Sequence, residues 1–208
     1  MICIVLYIAN KMQDLLYNPS TPHILVVDNF YKNVDALREH ALSQSFVEDN
    51  RYYKGKRTKE KFLFPYVKEE FERLLQARII DWVDQPMNGV FQITSPNDML
   101  VYHSDSQDYA AAVYLTPDAD SNGTSFWRDK KYGCRRPPNH ILENKNSSLT
   151  DEVYSHYNIT HEDNWSLVDK VGAVYNRLVI WDAKLIHSAS EYSAKERLVQ
   201  LFFFSIQK

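Results

Sequence analysis

Hydrophobic and polar positions repeat with a helical period in the first part of the chain. Apolar residues recur on one face directly after Asn33, a favourable N-cap, so the pattern predicts a helix over residues 34–43. Pro65 suits the first turn of a second helix, which we expect to reach about Arg78. The segment between them, residues 45–62, is aromatic, basic and irregular, and it predicts no regular element.

The period shortens in the rest of the chain, where apolar and polar residues alternate over short segments, as is typical of strands. The predicted strands cover residues 23–28 ahead of the helices and 90–94, 98–103, 109–116, 123–128, 176–188 and 197–206 behind them. Residues 129–170 break this pattern, with only a weak helical tendency near 151–157 and 161–170, and we interpret them as an insertion. Two helices followed by about eight short strands predict a mainly β fold with supporting α, a β-sandwich or jelly roll with N-terminal helices packed on one sheet.

The length of 208 residues suits one domain over residues 1–208 with a sizeable core. Within it we expect helical support over about residues 20–87 and a jelly-roll core over about residues 88–206. The formal net charge of −3 gives no general reason to expect binding to nucleic acid or to an anionic membrane. The sequence carries no signal for the oligomeric state.

The cysteines and the first residues bear on the compartment. Cys3 and Cys134 lie far apart in sequence and define no disulfide framework, so we expect a reducing compartment and a cytoplasmic location. The apolar segment of residues 1–9 is too short to span a bilayer and lacks the basic start of a signal peptide. It predicts an N-terminal strand or a peripheral segment, and no membrane association.

Four residues with distinctive chemistry follow one another at the ends of predicted strands. His103 and Asp105 stand two apart in an extended segment, so a strand would present both on one face. His187 comes 84 positions after His103, and Arg197 follows His187 by ten. Two imidazoles and one carboxylate can hold one face of a ferrous ion and leave its other positions open. An arginine beyond them can bind a dicarboxylate through a bidentate ion pair.

Each of these residues also has a simpler interpretation. The His-x-Asp pattern is short enough to arise by chance, and a lone His187 in an apolar run is more often a packed histidine with satisfied nitrogens. Arg197 enters a strongly apolar strand and needs a partner there, which either a protein carboxylate or a ligand could provide. The order and spacing of the residues favour a metal site over these alternatives.

The motif resembles that of the 2-oxoglutarate/Fe(II)-dependent dioxygenase superfamily, and most of all its prolyl-4-hydroxylase-like branch. The resemblance covers roughly residues 88–206, and this branch more often has lysine where Arg197 stands. It implies a double-stranded β-helix, a distorted jelly roll whose open end holds Fe(II). It also implies that His103, Asp105 and His187 are the metal ligands and thereby the catalytic residues, and that Arg197 pairs with the 5-carboxylate of 2-oxoglutarate.

Further segments resemble the family's strands around the co-substrate. Tyr114 matches a tyrosine whose hydroxyl contacts the distal carboxylate of 2-oxoglutarate, although an ordinary strand aromatic explains it equally well. By the same resemblance, Thr124 and Phe126 line the pocket beside the co-substrate. Phe203 lies six residues past Arg197 on the same strand face, so it could form a wall of that pocket.

The resemblance implies a non-haem dioxygenase that uses Fe(II), 2-oxoglutarate and O2 to hydroxylate a small-molecule or peptide substrate, with release of succinate and CO2. The segments over the open end, residues 45–62 and 129–170, together with the strand before the second of them, would then select the substrate. The candidate substrate contacts are Tyr52, Tyr53, Arg57 and Arg128. For each of them alone, a solvent-facing surface residue is the simpler interpretation.

Two other classes of protein fit the predicted fold. One is a non-catalytic jelly-roll protein that binds a ligand or a partner, and the other is a zinc or manganese enzyme of the cupin type. The retention of all three candidate ligands together with Arg197 favours the iron oxygenase, because a binding module does not need an ion-pairing arginine at that spacing.

Overall fold

Short strands and two helices make up the described parts of the chain, which a computed structural model defines for residues 22–48, 55–117, 123–130, 133–136, 162–190 and 196–207. The helices are α1 (Val34–Leu42) and α2 (Val67–Leu75), and a 3-10 turn covers Glu162–Asn164. The strands are β1 (Ile24–Val27), β2 (Phe46–Glu48), β3 (Lys56–Thr58), β4 (Val90–Thr94), β5 (Tyr109–Tyr114), β6 (Thr124–Asp129), β7 (Trp165–Val171), β8 (Leu178–Asp182), β9 (His187–Ala189) and β10 (Arg197–Phe204).

The strands form two antiparallel sheets. The large sheet has the order β1-β8-β5-β10-β4-β3-β2, and the small sheet has the order β7-β6-β9. Successive strands alternate between the two sheets from β4 to β10 in most cases, which is the wrapping expected of a jelly roll. The predicted fold class, mainly β with helices on one sheet, is therefore confirmed.

One face of the large sheet carries the helices. Asn33 caps α1 by accepting a hydrogen bond from the backbone N of Ala36 at 3.3 Å, as its position before the apolar stripe predicted. In α2, Phe71 is fully buried, and its ring lies 5.1 Å from that of Phe202 and 5.6 Å from that of Phe204. Phe202 and Phe204 share one face of β10, so this strand anchors both the sheet and the helices. Truncation of an aromatic side chain in such a core costs about 3–5 kcal/mol.

The other face of the large sheet looks toward the small sheet. Residues of a strand alternate between faces, so Arg197, Val199, Leu201 and Phe203 all lie on the face opposite Phe202. We call this the inner face, and its buried cluster includes Val199, Leu201 and Phe126 of the small sheet. The alternation along β10 thus carries Arg197 into the interior of the roll, on the same face as Phe203; this shared face is what the sequence predicted from parity.

Four sequence predictions of local structure are wrong in part. The predicted strand 176–188 is two strands, because β8 lies in the large sheet and β9 in the small one. Residues 161–170 are not weakly helical, because after the 3-10 turn β7 pairs with β6 in the small sheet. Residues 45–62 are not wholly irregular, because β2 and β3 add two short strands beyond β4. The predicted strand 98–103 is reduced to a single bridge between His103 and His187. In each case pairing with a distant strand, rather than local propensity, decides the structure.

The N-terminal part supplies three strands of the large sheet in addition to the helices, so it is more than helical support. The apolar residues 1–9 and most of the expected insertion lie outside the described residues. Among the helices that the structure describes, none is both long and apolar enough to cross a bilayer.

Candidate metal centre

Three side chains with metal-binding atoms meet at one end of the roll. Among the described residues, His103, Asp105 and His187 each offer one ligand atom, and these atoms all lie within 4.8 Å of one another. His103 Nε2 lies 3.7 Å from Asp105 Oδ1, and His187 Nε2 lies 3.3 Å from Asp105 Oδ2. The sequence motif therefore does come together in space, on segments that belong to different parts of the fold.

Backbone hydrogen bonds hold the three residues in place. His103 N donates to His187 O at 3.0 Å, and His187 N donates to His103 O at 2.8 Å. Asp105 N donates to Ala183 O at 2.8 Å, which ties the carboxylate to the end of β8. The ligand set is thus fixed by the closure of the roll and not by a local turn.

The two imidazoles are oriented in the same way. His103 Nδ1 lies 3.0 Å from Val101 O, and His187 Nδ1 lies 2.8 Å from Leu185 O, so each ring bonds to the carbonyl two residues before it. A carbonyl oxygen can only accept, hence Nδ1 carries the hydrogen in both rings. Each Nε2 then presents its lone pair toward Asp105, which is the arrangement that metal-binding histidines adopt.

The charges around the site favour the ligand forms of these residues. Burial lowers the pKa of His103, and the neighbouring His187 lowers it further, so this imidazole is neutral at neutral pH. Burial would raise the pKa of Asp105, but the hydrogen bond from His187 and the charges that His103 and His187 carry when they are protonated, together with the charge of Arg57, outweigh burial and lower the pKa. A neutral imidazole beside an ionised carboxylate is the state that binds a divalent cation.

The contact between His187 and Asp105 tests whether a metal fits. Asp105 Oδ2 is buried, and within the described residues it has no hydrogen-bond partner. The atom that approaches it, His187 Nε2, offers a lone pair rather than a hydrogen. Two acceptors that face each other in a buried site need a cation between them, and a set of two imidazoles and one carboxylate suits Fe(II). The residues therefore fit a metal ion.

A second polar group lies on the inner face, farther along the same strands. Arg197 is only 6% exposed, and its guanidinium carbon lies 5.4 Å from the centroid of the Tyr114 ring. The hydroxyl groups of Tyr114 and Thr124 share a hydrogen bond of 2.8 Å. Burial raises the pKa of Tyr114 despite the opposing charge of Arg197, so the phenol keeps its hydrogen at neutral pH. A guanidinium and hydroxyl donors together form a binding site for a carboxylate.

Small side chains connect the two polar groups. On the inner face, Ala110 has Trp181 of β8 and Phe203 of β10 as its cross-strand partners, and both partners are aromatic. Ala112 in turn has Val179 and Leu201 as its partners. Because the two alanines project little above the sheet, this row of the inner face carries little side-chain volume between larger side chains. We call the row the alanine slot; it runs from Ala110, at the end of the roll that holds His103, Asp105 and His187 (the metal end), toward Tyr114.

Aromatic rings surround His187. Phe126 is the cross-strand partner of His187, and their ring centroids lie 6.5 Å apart. The Trp181 ring is closer, at 5.1 Å. Trp181 carries no distinctive signal in the sequence, although alternation along β8 places it on the same strand face as Val179.

The guanidinium of Arg57 extends toward the metal end of the inner face. The partner of Arg57 on β4 is Gln92, which itself pairs with Val199 of β10, so the register places Arg57 on the inner face, in the row of Val199 and Tyr114. Its guanidinium carbon lies 6.0 Å from the centroid of the ring of Phe203, the partner of Ala110. Its charge also contributes to the lowered pKa values of His103 and Asp105.

The other predicted substrate contacts are less defined. Arg128 is exposed on β6, two residues past Phe126 and therefore on the same strand face. Tyr52 and Tyr53 lie outside the described residues. The neighbouring Arg135 and Arg136 form ion pairs with carboxylates, Arg135 with Asp169 at 2.9 Å and Arg136 with Asp182 at 2.6 Å.

The two sheets and the position of the ligand cluster define a protein with the double-stranded β-helix of the 2-oxoglutarate/Fe(II) oxygenases. HygX from Streptomyces hygroscopicus, in a crystal structure with nickel, 2-oxoglutarate and hygromycin B bound, matches with a TM-score of 0.53 and 14% identity, over 92% of this chain and 86% of that one. A prolyl hydroxylase from Trichoplax adhaerens, in complex with a peptide fragment of hypoxia inducible factor, matches with a TM-score of 0.51 and 13% identity, over 88% of this chain and 83% of that one. The resemblance inferred from sequence is confirmed at the level of the fold.

The chain belongs to the family described as a family of unknown function (DUF6445), whose sequence profile matches residues 9–198. A search of curated proteins finds no match.

Proposed function

We propose that this protein is a non-haem Fe(II)/2-oxoglutarate-dependent dioxygenase. The observation that carries the proposal is the meeting of His103, Asp105 and His187 within 4.8 Å, with both imidazole lone pairs directed at the carboxylate. Bound iron would supply the reaction in which 2-oxoglutarate, O2 and a substrate R–H yield succinate, CO2 and R–OH. The residues of the protein would bind and orient the iron and 2-oxoglutarate and would exclude water from the site.

The three ligands would occupy one face of the iron. Because Asp105 and His187 are 18% and 5% exposed at the side chain, the metal would lie partly within the roll. His103 is more open, at 35%, and marks the side from which solvent and substrate reach the site. The ion would therefore keep open positions on the accessible side, as an oxygenase requires.

Arg197, Tyr114 and Thr124 would hold the distal carboxylate of 2-oxoglutarate. The guanidinium supplies charge, and the two hydroxyl groups supply orientation, inside a region that water does not reach. The alanine slot leads from this group to the metal end, and Phe126 and Phe203 would form its aromatic walls. HygX, which shares the fold, binds 2-oxoglutarate, and this supports the same co-substrate for this protein.

The substrate would enter at the side of His103 and meet Arg57. HygX binds hygromycin B and the Trichoplax enzyme binds a peptide, so this fold accepts both small molecules and peptides. The position of Arg57 beside the metal end favours a substrate with an anionic group, such as a carboxylate, near the atom that is oxidised. Arg128, at the exposed rim, would contact the outer part of the substrate, and the outcome would be hydroxylation.

Calorimetric titration under nitrogen tests the proposal. We expect wild-type protein to bind one Fe(II) ion and then 2-oxoglutarate, while His187→Ala binds neither tightly. An Arg73→Gln variant serves as a control, because this arginine is exposed on α2 and pairs with Glu70, away from the inner face. If neither ligand binds to the wild-type protein, the oxygenase proposal fails and the non-catalytic jelly-roll protein becomes the better assignment. If zinc or manganese binds but 2-oxoglutarate does not, an enzyme of the cupin type is favoured.

A further inference from the structure

Trp181 places a buried hydrogen-bond donor beside the metal ligands. Its side chain is 4% exposed, and in the part of the chain that the structure describes its indole Nε1 has no hydrogen-bond partner. A buried N–H without an acceptor is unfavourable, so such groups in folded proteins nearly always bond to a ligand or to ordered water. The donor needs an acceptor that the protein's own described groups do not provide.

The surroundings of Trp181 narrow the choice of acceptor. Its cross-strand partner on the inner face is Ala110, and the rings packed against it belong to His187 and Phe126. Neither Ala110 nor Phe126 has an acceptor, and the hydrogen-bonding atoms of His187 are directed at Leu185 O and at Asp105. The indole therefore lies at the metal end of the alanine slot, and none of these three neighbours offers it an acceptor.

The two ends of the alanine slot differ in their donors. At the far end Arg197, Tyr114 and Thr124 provide a charged and a hydroxyl donor group. At the metal end the described inner face offers Trp181 Nε1 as a donor in the wall of the slot and the guanidinium of Arg57, whose carbon lies 6.0 Å from the Phe203 ring centroid, whereas Phe203 and Val90 are apolar. An oxoacid in this slot has acceptor oxygens at both ends, and the indole donor at the metal end would face its keto-acid group.

We propose that Trp181 Nε1–H donates a hydrogen bond to the oxoacid end of 2-oxoglutarate and that Trp181 is thus a co-substrate-binding residue. The inference rests on the proposed function, because it needs 2-oxoglutarate to lie in the alanine slot beside His187. It adds a residue that orients the co-substrate next to the metal, whereas Arg197 and Tyr114 hold its other end. One neutral hydrogen bond of this kind changes a dissociation constant about 2- to 10-fold.

Nuclear magnetic resonance of the indole groups tests this directly. The chain has four tryptophans, so the 15N-labelled protein gives four indole N–H signals, and Trp181→Phe identifies the one of interest. If that variant does not fold, the signal is assigned by elimination with phenylalanine variants of Trp82, Trp127 and Trp165. With Zn(II)-loaded protein, we expect 2-oxoglutarate to move the Trp181 signal downfield, with a midpoint equal to the Kd from calorimetry. Metal alone should not produce this shift.

Affinity measurements provide the second readout. Trp181→Phe keeps an aromatic ring in the wall but removes the donor, so the Kd for 2-oxoglutarate should rise about 2- to 10-fold while the Kd for the metal stays unchanged. Trp127→Phe is the matched control, because its indole already donates to Ser188 Oγ at 2.9 Å and packs with Tyr102 outside the slot. That variant should bind 2-oxoglutarate as the wild type does.

The outcomes separate this inference from the proposed function. If wild-type protein binds 2-oxoglutarate but the Trp181 signal does not move, or moves with metal alone, the inference is wrong and the oxygenase proposal stands. If wild-type protein binds no 2-oxoglutarate, both fail. A downfield shift together with the weaker binding of Trp181→Phe supports both.

Discussion

His103 and His187 exchange both of their backbone hydrogen bonds, at 3.0 and 2.8 Å, although 84 residues separate them in the chain. Their ring centroids lie 4.4 Å apart. This bridge, formed at the first residue of β9, sets the spacing of two of the three candidate ligands. Binding of a metal and closure of this end of the roll are therefore coupled.

A metal ion should stabilise the wild-type protein and should not stabilise variants that lack a ligand. At a free metal concentration of 100 times the Kd, binding to the native state adds about 2.7 kcal/mol to the free energy of unfolding. We expect the Tm of wild-type protein to rise with Ni(II), and the rise to disappear in Asp105→Ala and His187→Ala. His40→Gln, on α1, is the matched control and should retain the full rise. An equal rise in all four proteins would show that the metal binds elsewhere.

Arg197 should determine the affinity for 2-oxoglutarate without affecting the metal. Removal of its charge in Arg197→Gln leaves the distal carboxylate without an ionic partner in a buried site, and a charged hydrogen bond contributes about 1.5–3 kcal/mol. We expect the Kd for 2-oxoglutarate to rise roughly 10- to 100-fold in calorimetry. Arg197→Lys keeps the charge but loses the two parallel N–H donors of the guanidinium. Its Kd for 2-oxoglutarate should therefore lie between that of the wild type and that of Arg197→Gln.

The control for this measurement is Arg73→Gln. Arg73 bonds to both carboxylate oxygens of Glu70, at 2.8 and 2.6 Å, on the exposed side of α2, so its loss does not reach the slot. Binding of 2-oxoglutarate that is equally weak in Arg73→Gln and Arg197→Gln would argue against a specific role for Arg197.

Asn176 should be important for stability because it connects the start of β8 to the segment before α1. Its φ is +64°, and its side chain accepts from Tyr31 N and donates to Tyr31 O, both at 2.8 Å. Asn176→Ala loses both hydrogen bonds. Alanine also lacks the side-chain bonds that help asparagine adopt a left-handed conformation, so we expect the free energy of unfolding in urea to fall by about 3 kcal/mol. Asn176→Gly avoids the conformational cost and should lose about 2 kcal/mol. Equal losses would mean that backbone conformation is unimportant there.

The ion pair between Asp28 and Arg177 predicts a small pH dependence of stability. The hydrogen bonds from Arg177 lower the pKa of Asp28, which is half exposed. A carboxyl whose pKa is lower in the folded state adds stability above its unfolded pKa of about 3.9, and loses it as the pH falls through the folded value. Asp28→Asn should therefore cost about 0.5–1 kcal/mol at pH 7, and the difference from wild type should shrink as the pH falls below the unfolded pKa of about 3.9 and through the folded-state pKa. Urea unfolding of both proteins at several pH values measures this, and a constant difference at all pH values would contradict it.

The residues that the sequence predicted best are those with a strong local signal. Asn33 and the stripe behind it defined α1, and the alternation in β4 gave its bounds, Val90–Thr94, without error. The parity of β10 also predicted that Arg197 and Phe203 share a face. These features depend on local periodicity alone, which is why a single sequence suffices for them.

The features that the sequence did not predict depend on pairing between distant segments. Lys56–Thr58 has no apolar alternation, and it becomes strand β3 only because β4 offers a free edge. Trp181 is one apolar residue among several in β8, and its proximity to His187 follows from the turn that joins β8 to β9. The fit of the site to a metal ion could not be predicted from the sequence either. It depends on the orientations of the two imidazoles, which are set by hydrogen bonds to Val101 O and Leu185 O, and no sequence motif specifies where these carbonyl groups lie.

Succinate formation is the most direct test of the central claim. Protein loaded with Fe(II) under nitrogen is given 2-oxoglutarate without other substrate and then exposed to O2, with His187→Ala treated in the same way. The account predicts slow formation of succinate by the wild-type protein, because co-substrate oxidation proceeds without a substrate to hydroxylate, and none by the variant. Equal succinate from both proteins, or none from wild-type protein that has retained its iron, would contradict it.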